Sequence, residues 1–442
     1  MLDQAVVVTR CRQPHALLAP GGGEVLAVTD LHVDYAENMA WCERLDGQAF
    51  RHDVLAVSGD VSDELGALEQ ALGCLASKFA AVFYTPGNHE LWIREKDRAS
   101  GLMDSRAKLA RVLELCQRLG VHTQPRRLGN LWLAPLFSWH HKSFDCEPDI
   151  PGVPPASAWT IADYGACRWP RSVPGGDSAG SVELARWFDG MNDTPAWRQL
   201  IATRHQCDAL LPEKRYLYYP GLAKAVGSAP LAARLAALRP DLCLVGHTHF
   251  GWDAEVEGVR YIQAPLCSPL ERRRRLATVG FGASMAAARE DPVAARWLPL
   301  EVYKGLVPAG AAAAAAANGG AAVAAAEMAA GDGAAADVAP QVGAQQQQPL
   351  AGLQQQQQQQ QHPTPGLQQP QQRPQGAWAA QGWQPLRHGA MAPPLRAQWS
   401  DHYAQTVRRP DDVAMAPWVA KLYERRQRAA GGGASGGESN GG

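Results

Sequence analysis

Short apolar runs alternate with amphipathic stretches over the first quarter of the chain. The runs at 24–29, 53–58 and 80–84 are mostly apolar and partly β-branched, a pattern typical of strands buried on both faces. Apolar residues at helical spacing lie between them, at 36–45 and 64–78. This alternation of strand and helix predicts βαβ units, and therefore a parallel sheet covered by helices.

The pattern continues less regularly up to about residue 305. It predicts an amphipathic helix at 105–119, whereas residues 142–195, which are rich in Pro, Gly and Trp, predict long surface loops. Further strands are predicted at 131–137, 199–203, 241–245, 259–263 and 300–303. A segment of this size suits one large α/β domain.

The composition changes near residue 306, where an Ala/Gly tract gives way to Gln runs separated by Pro. Such a segment cannot bury enough varied apolar surface to offset its ordering entropy, so we expect disorder. Whether it recruits protein partners is open, and a neutral insertion is the simpler interpretation. The predicted organisation is an N-terminal extension at 1–23, an α/β domain at 24–305, a disordered Ala/Gly/Gln/Pro-rich segment at 306–393, a short segment at 394–428 that packs on the domain, and a flexible tail at 429–442.

The overall charge is nearly balanced, since the formal net charge is -1 and the isoelectric point is about 6.9. This excludes a general electrostatic attraction to nucleic acid or to anionic membranes, so neither is expected as a stable partner. The one basic run, Arg272 to Arg275, is interpreted as a solvated or carboxylate-paired surface, with phosphate binding as the alternative.

The cysteines and the N-terminus indicate the compartment. The nine cysteines are scattered and none has C-x-x-C spacing, which predicts reduced core residues in a reducing compartment. No apolar run approaches the roughly 20 residues that span a bilayer. The start of the chain lacks the order of a signal peptide. We therefore expect a cytoplasmic protein, although Arg10 and Arg12 leave organelle targeting open.

Polar clusters follow most of the predicted strands. In chain order, the candidate ligands are Asp30, His32, Asp60, Asn88, His205, His247 and His249. In an open α/β sheet, ligands bind beyond the carboxyl ends of the strands, so these side chains can meet at one edge. Carboxylate, amide and imidazole groups bind divalent ions such as Mn, Fe and Zn. The sequence therefore predicts a site for two metal ions, of the kind that cleaves phosphate esters.

His205 is the least direct of these assignments. It is chosen because it follows the predicted strand at 199–203 and precedes the turn that carries His247. His140 and His141 are the alternatives as ligands. Otherwise these two histidines are interpreted as part of a substrate-facing loop or of the surface.

Taken together, the motifs D-x-H, G-D, G-N-H-E, a lone His and G-H-x-H resemble those of the calcineurin-like metallophosphoesterase superfamily, over residues 24–305. The resemblance implies a four-layer αββα fold, which is a β-sandwich flanked by helices. It places His89 beside the scissile phosphate rather than on a metal. It implies that one ion is held by Asp30, His32, Asp60 and His249, and the other by Asp60, Asn88, His205 and His247.

One motif departs from that of the related Ser/Thr protein phosphatases. They carry an arginine directly after the second aspartate of G-D-x-x-D, whereas this chain has Glu64 after Asp63. The loss of that phosphate-gripping arginine argues against a protein phosphatase of this type. Asp63 itself is predicted either to orient His89, as its counterpart does, or to cap the helix at 64–78.

The resulting hypothesis is metal-dependent hydrolysis of a phosphate ester. A hydroxide that bridges two divalent ions (Mn, Fe or Zn) attacks phosphorus, and His89 protonates the leaving oxygen as general acid. Phosphomonoester and phosphodiester substrates are both open. The alternative is a catalytically silent scaffold that keeps the fold. Because every expected ligand position is filled, the enzyme is favoured.

Overall fold

The computed structural model describes most of the chain up to residue 274 and parts of the remainder. The described residues are 4–10, 23–128, 131–153, 161–176, 180–198, 211–274, 298–308, 383–392 and 397–431. The predicted strand at 199–203 and His205 lie outside them, as do most of the segment at 306–393 and the tail beyond 431.

Eleven strands and eleven helices are found in the described residues. The strands are β1 (Gln4–Arg10), β2 (Gly23–Thr29), β3 (Val54–Ser58), β4 (Ala81–Thr85), β5 (Arg126–Leu128), β6 (Leu131–Phe137), β7 (Leu242–Val245), β8 (Trp252–Val256), β9 (Val259–Gln263), β10 (Leu300–Pro308) and β11 (Trp383–Met391). The helices are α1 (Ala36–Arg44), α2 (Leu65–Lys78), α3 (Glu95–Ala99), α4 (Ser105–Leu119), α5 (Ala162–Ala166), α6 (Val182–Gly190), α7 (Pro195–Arg198), α8 (Ala229–Leu238), α9 (Pro269–Arg274), α10 (Gln398–Gln405) and α11 (Pro417–Gly431).

The strands form two mixed sheets. The first has the order β5-β6-β1-β7-β9-β8 and the second the order β11-β10-β2-β3-β4. In the second sheet β2, β3 and β4 are parallel, with Thr29 opposite Ser58 and Ser58 opposite Thr85 at their carboxyl ends. These three strands and the helices between them confirm the predicted βαβ units. The aligned ends place the residues that follow each strand at one edge.

Alternate residues of each strand face different layers. In β2, Val25 and Ala27 pack against the first sheet, whereas Leu26 and Val28 pack against helices. Helices α1, α2 and α4 cover the second sheet, and α8 covers the first. The arrangement is the predicted four-layer αββα fold. Because the central strands are buried on both faces, their sequences are apolar throughout.

β1 lies within the residues that were expected to form an N-terminal extension (1–23). It pairs with β6 on one side and with β7 on the other, in the middle of the first sheet. Ala5, Val6, Val7 and Val8 are fully buried. A core strand therefore starts the chain, and the domain begins before the boundary expected at residue 24. The run of alanine and valines is the sequence signal for this strand.

The prediction of long surface loops at 142–195 is wrong in part. α5 and α6 lie in this stretch, and Leu184 and Phe188 of α6 join an apolar cluster with Trp139. The rings of Trp139 and Phe188 stack with their centroids 5.3 Å apart. A Trp-rich segment can fold inward because each indole buries a large apolar area.

Residues from both sides of the low-complexity segment complete the second sheet. β10 pairs with β2, and β11 pairs with β10, so that Pro308 lies opposite Trp383. As far as they are described, both ends of the segment at 306–393 therefore belong to the sheet, in contrast to the disorder expected there. Its central part, residues 309–382, lies outside the described residues.

The C-terminal segment at 397–431 packs on the domain through α10 and α11. Arg408 pairs with Glu147 at 2.7 Å, and Asp412 pairs with Arg215 at 2.5 Å. Trp399 and Tyr403 of α10 pack against the apolar cluster that lies over the first sheet. These contacts connect the end of the chain to the domain.

Most of the described cysteines are buried, in line with the predicted core residues: Cys42, Cys116, Cys167, Cys243 and Cys267. Burial raises the pKa of the Cys116 thiol to about 12, so this side chain acts as an apolar core residue. Among the helices of the described residues, none combines the length and the hydropathy that crossing a bilayer requires.

We expect the residues between β10 and β11 to be dispensable for folding. Replacing residues 309–382 with a Gly/Ser linker of about four residues should change the melting temperature by less than about 2 °C, because Pro308 and Trp383 are already strand partners. Ending the chain at residue 396 should lower it by about 5 °C or more, because the contacts of α10 and α11 are lost. Calorimetry of both variants checks this, and equal losses would contradict it.

Candidate metal centre

The ends of β2, β3, β4 and β7 meet at one rim of the sandwich. Asp30 follows β2, Asp60 follows β3 and Asn88 lies just after β4. The loop after β7 reaches them from the other sheet, since the N–H of His247 donates to Oδ1 of Asp30 at 2.6 Å. Clusters that are far apart in the sequence are therefore neighbours in the fold.

Four of these side chains hold their donor atoms in one small volume. One donor atom from each of Asp30, His32, Asp60 and His249 lies within 4.8 Å of the others. Nε2 of His32 is 2.9 Å from Nε2 of His249, and the latter is 3.7 Å from Oδ1 of Asp30. Two carboxylates and two imidazoles at these distances suit Mn, Fe or Zn. The group is therefore a candidate metal-binding site.

The backbone is left-handed at five of the candidate ligands. Asp30, His32, Asp60, His247 and His249 have φ angles between 44° and 81°. Within the described part of the chain, only three other non-glycine residues have a positive φ. Such a conformation costs a non-glycine residue about 1–3 kcal/mol and is concentrated at functional sites. The tight turns direct consecutive polar side chains back over the sheet edge.

Hydrogen bonds between the ligand loops hold these turns in place. The N–H of His32 donates to the carbonyl oxygen of Asp60 at 2.9 Å. Glu90 is fully buried, and its carboxylate accepts from the N–H of Val61 at 2.6 Å and from the N–H of Gly87 at 2.5 Å. One carboxylate thus clamps the loop after β3 to the loop after β4.

An acid from outside the motifs orients His249. Oε2 of Glu271, on α9, lies 3.0 Å from Nδ1 of this imidazole. A proton on Nδ1 satisfies that contact and leaves the lone pair of Nε2 directed at Asp30 and His32. Carboxylates fix the tautomer and the orientation of metal-binding histidines in this way.

Arg272, beside Glu271, is buried at 4% exposure. Its guanidinium donates to Oδ1 of Asn38 at 2.7 Å and to the carbonyl oxygen of Cys267 at 2.7 Å. Asn38 in turn donates to the carbonyl oxygen of His32 at 3.1 Å. Arg272 also pairs with Glu37 at 3.2 Å, in line with the carboxylate-paired interpretation of the basic run, but it is buried rather than on the surface and stabilises the turn behind His32.

The site combines buried carboxyl groups with neutral imidazoles. The pKa of the Asp60 carboxyl is raised well above its usual value. Burial is the largest cause, and the charges of Glu90 and Asp30 are the next largest. Burial, followed by the neighbouring His249, lowers the pKa of His32 to about 3. A cation relieves the repulsion among carboxylates and binds imidazole in its neutral form. The electrostatics thus agree with the geometry in favouring a metal ion.

A second group of polar side chains lies beside the first. Nδ1 of His247 is 2.8 Å from Oδ1 of Asn88, and Nδ2 of Asn88 donates to Oδ1 of Asp163 at 2.8 Å. The ring of His140 is roughly parallel to that of His247, with the centroids 6.5 Å apart. His205, the other expected ligand here, lies outside the described residues.

His141 is engaged away from these ligands. Its Nε2 accepts from the N–H of Ala229, in the first turn of α8, at 2.9 Å, and its Nδ1 lies 3.0 Å from Oγ of Ser143. Of the two histidines considered as alternatives to His205, it is therefore His140 that lies near His247.

His89 stands next to the candidate ligands. Its ring centroid is 4.7 Å from that of His32, and its ring stacks on Trp92 with the centroids 3.7 Å apart. The pKa of His89 is lowered well below its usual value. Burial is the largest cause, and the neighbouring His32 is the next largest. The imidazole is thus held between a candidate ligand and an indole ring.

The carboxylate of Asp63 is directed at Arg94 rather than at His89. Oδ2 of Asp63 accepts from Nε of Arg94 at 2.8 Å, and the guanidinium lies 4.5 Å above the ring of Trp92. Glu64, not Asp63, occupies the N-cap position of α2, so the capping interpretation is wrong. Asp63 therefore contacts Arg94, Arg94 contacts Trp92, and Trp92 contacts His89.

Three supporting carboxylates were not predicted as functional residues: Glu90, Asp163 and Glu271. Glu90 stands in the G-N-H-E motif, which is a usable signal. Asp163 and Glu271 belong to no motif, and in the sequence a single acid in a short helix resembles any surface acid. Their roles depend on contacts with residues far away in the sequence.

Comparisons with known proteins find three similarities. A family model described as calcineurin-like phosphoesterase matches residues 23–251, which is more than half of the chain and includes every candidate ligand. The acyl-carrier-protein phosphodiesterase PptH of Mycobacterium tuberculosis is 26% identical over 266 residues, covering 56% of this chain and 79% of that protein. The crystal structure of phosphopantetheinyl hydrolase (PptH) from the same organism aligns with a TM-score of 0.43 and 22% identity, covering 58% of this chain and 94% of that chain.

Asp60→Asn should abolish metal binding without weakening the metal-free fold. The neutral amide removes a buried charge that Glu90 and Asp30 repel. We expect Mn²⁺ to raise the melting temperature of the wild type but not that of the variant. In EDTA, the variant should melt at or above the wild-type temperature. Scanning fluorimetry with Mn²⁺ and with EDTA measures both effects.

Asp97→Asn is the matched control, because this buried carboxylate is paired with Lys108 at 2.8 Å. It should lower the free energy of unfolding by about 3 kcal/mol and keep the response to Mn²⁺. A full Mn²⁺ response in Asp60→Asn would contradict the role of Asp60.

Proposed function

This chain belongs to the calcineurin-like phosphoesterase family, and we propose that it hydrolyses a phosphate ester with the help of two divalent metal ions. The observation that carries the proposal is the convergence of donor atoms from Asp30, His32, Asp60 and His249 within 4.8 Å. These four side chains would hold the first ion. Their spacing, burial and ligand chemistry match such a role, whereas a silent scaffold has no need to keep four donors together.

The second ion is proposed to share Asp60 and to bind Asn88 and His247, with His205 or His140 as the further ligand. The close approach of Oδ1 of Asn88 to Nδ1 of His247, at 2.8 Å, supports this pairing. When bound, the ions would supply Lewis acidity, which activates water near neutral pH and offsets the charge of the substrate phosphate.

His89 is proposed as the general acid that protonates the leaving oxygen. It stands beside His32 but outside the group of four donors, so its nitrogens are available to a substrate. The stacked Trp92 restricts rotation of the imidazole. Asp63 is proposed to act indirectly, by holding Arg94 over the far part of the indole. A cation at that place favours release of the proton from His89.

A phosphodiester is the substrate class that we favour. The relative from Mycobacterium tuberculosis, 26% identical to this chain, is an acyl-carrier-protein phosphodiesterase by its name. We therefore propose a phosphodiester on an acyl carrier protein as the substrate of this chain. The glutamate at position 64, where protein phosphatases carry arginine, agrees with a substrate other than a phosphomonoester of a protein side chain.

The test is hydrolysis of bis(p-nitrophenyl) phosphate, p-nitrophenyl phosphate and a holo acyl carrier protein with added Mn²⁺. We expect the aryl diester to be cleaved at least about tenfold faster than the monoester, loss of activity in EDTA, and a mass loss in the carrier protein. Turnover of the monoester alone would contradict the diester assignment. Failure on all three substrates would contradict the proposed function.

The same assay examines the general acid. His89→Ala should lose about 10²–10⁴-fold with an alkyl leaving group and much less with p-nitrophenolate, which leaves without a proton. His52→Ala, at an exposed position, is the control and should match the wild type. Equal losses on both leaving groups would exclude the acid role of His89.

The number of metal ions bound per protein shows which of the candidate histidines is a ligand of the second ion. We expect His205→Ala or His140→Ala to reduce the bound metal from about two ions to about one, measured by elemental analysis after gel filtration. His141→Ala should keep both ions, because its two nitrogens contact Ala229 and Ser143. Two retained ions in both of the first two variants would show that neither histidine is a ligand.

A further inference from the structure

One buried carboxylate outside the family motifs contacts both Asn88 of the G-N-H-E motif and Trp92, two residues after the motif. Asp163, on α5, is 1% exposed. Its Oδ1 accepts from Nδ2 of Asn88 at 2.8 Å and from Nε1 of Trp92 at 2.6 Å. Its Oδ2 is buried and accepts no hydrogen bond from the described residues. One oxygen of Asp163 thus binds Asn88 and Trp92, and the other oxygen is buried in the interior.

The first contact decides which way the amide of Asn88 faces. An amide can bind a metal only through its oxygen, because its nitrogen carries two protons and offers no lone pair. Since Nδ2 donates to Asp163, Oδ1 faces the opposite side, where Nδ1 of His247 lies at 2.8 Å. Without the carboxylate, a rotated amide would present its N–H groups to the metal.

The second contact fixes the indole on which His89 stacks. Nε1 of Trp92 donates to Asp163, and the two stacked rings have centroids 3.7 Å apart. An indole that is anchored by its one polar atom cannot slide or turn in its pocket. Asp163 therefore restrains two functional residues that follow β4, Asn88 directly and His89 through Trp92.

The backbone around α5 is itself tied to the segment that it supports. The N–H of Ile93 donates to the carbonyl oxygen of Ala166 at 2.9 Å. The N–H of Ser105 donates to the carbonyl oxygen of Arg168 at 2.7 Å, and the N–H of Arg168 donates to Oγ of Ser105 at 2.8 Å. The carboxylate of Asp163 is therefore held at a defined place rather than on a free loop.

We propose that Asp163 is a positioning residue for the second metal ion and for the general acid. This inference rests on the proposed function and deepens it. The carboxylate holds the oxygen of Asn88 toward the ion and holds the indole against His89. Its buried Oδ2, which accepts no hydrogen bond from the part of the chain that the structure describes, also favours a cation in the neighbouring site. Outer partners of this kind typically change metal affinity by about 10–100-fold.

Calorimetric titration of the metal-free protein with Mn²⁺ tests this without using activity. Asp163→Ala removes the acceptor and the charge, and should weaken the second ion by about 10–100-fold while leaving the first unchanged. Asp163→Asn keeps an oxygen that can accept from Asn88, so it should restore part of the affinity. In turnover, Asp163→Ala should lower kcat more on alkyl than on aryl esters.

The matched control is Asp253→Ala, which also removes a buried aspartate that accepts two hydrogen bonds, here from Arg260 at 2.8 and 2.7 Å. A purely structural role would lower the melting temperature of Asp163→Ala as in the control and leave both Mn²⁺ affinities as in the wild type. That outcome would overturn the inference alone. A wild-type protein that binds no Mn²⁺ would overturn the proposed function, and the inference with it.

Discussion

Hydrogen bonds between the loops that follow β2, β3 and β4 hold the donor atoms together against their mutual repulsion. The carboxylate of Glu90 clamps the loops after β3 and β4, and the N–H of His32, in the loop after β2, donates to the backbone of Asp60. Without this scaffold, left-handed turns and crowded acids would relax apart. Both the fold and the candidate chemistry depend on it, because the same bonds close the sheet edge and set the spacing of the ligands.

Support for this rim comes from parts of the chain that carry no motif. Glu271 faces His249, Arg272 stabilises the turn behind His32, and Asp163 faces Asn88. A metal site needs such outer contacts because a flexible ligand loses entropy on binding, whereas a held one has already lost it. The motifs supply the candidate ligands, and the surrounding segments supply the rigidity.

The neighbourhood of His89 differs from that expected from protein phosphatases. The aspartate of their motif is kept as Asp63, but its carboxylate binds Arg94, whose guanidinium covers Trp92. The same indole contacts the imidazole of His89, with the ring centroids 3.7 Å apart. Together with the missing arginine after Asp63, this arrangement distinguishes the chain from protein phosphatases of that type.

The sequence by itself determined the parallel strands, their helices and the ligand types, because buried strands and tight polar turns have strong local patterns. It did not reveal that β1 belongs to the centre of a sheet, that the Trp-rich stretch folds inward, or that both ends of the low-complexity segment form strands. Only the tertiary structure decided these points, and with them the roles of Asp163 and Glu271. Each depends on contacts between residues distant along the chain, where local preference carries no information about the partner.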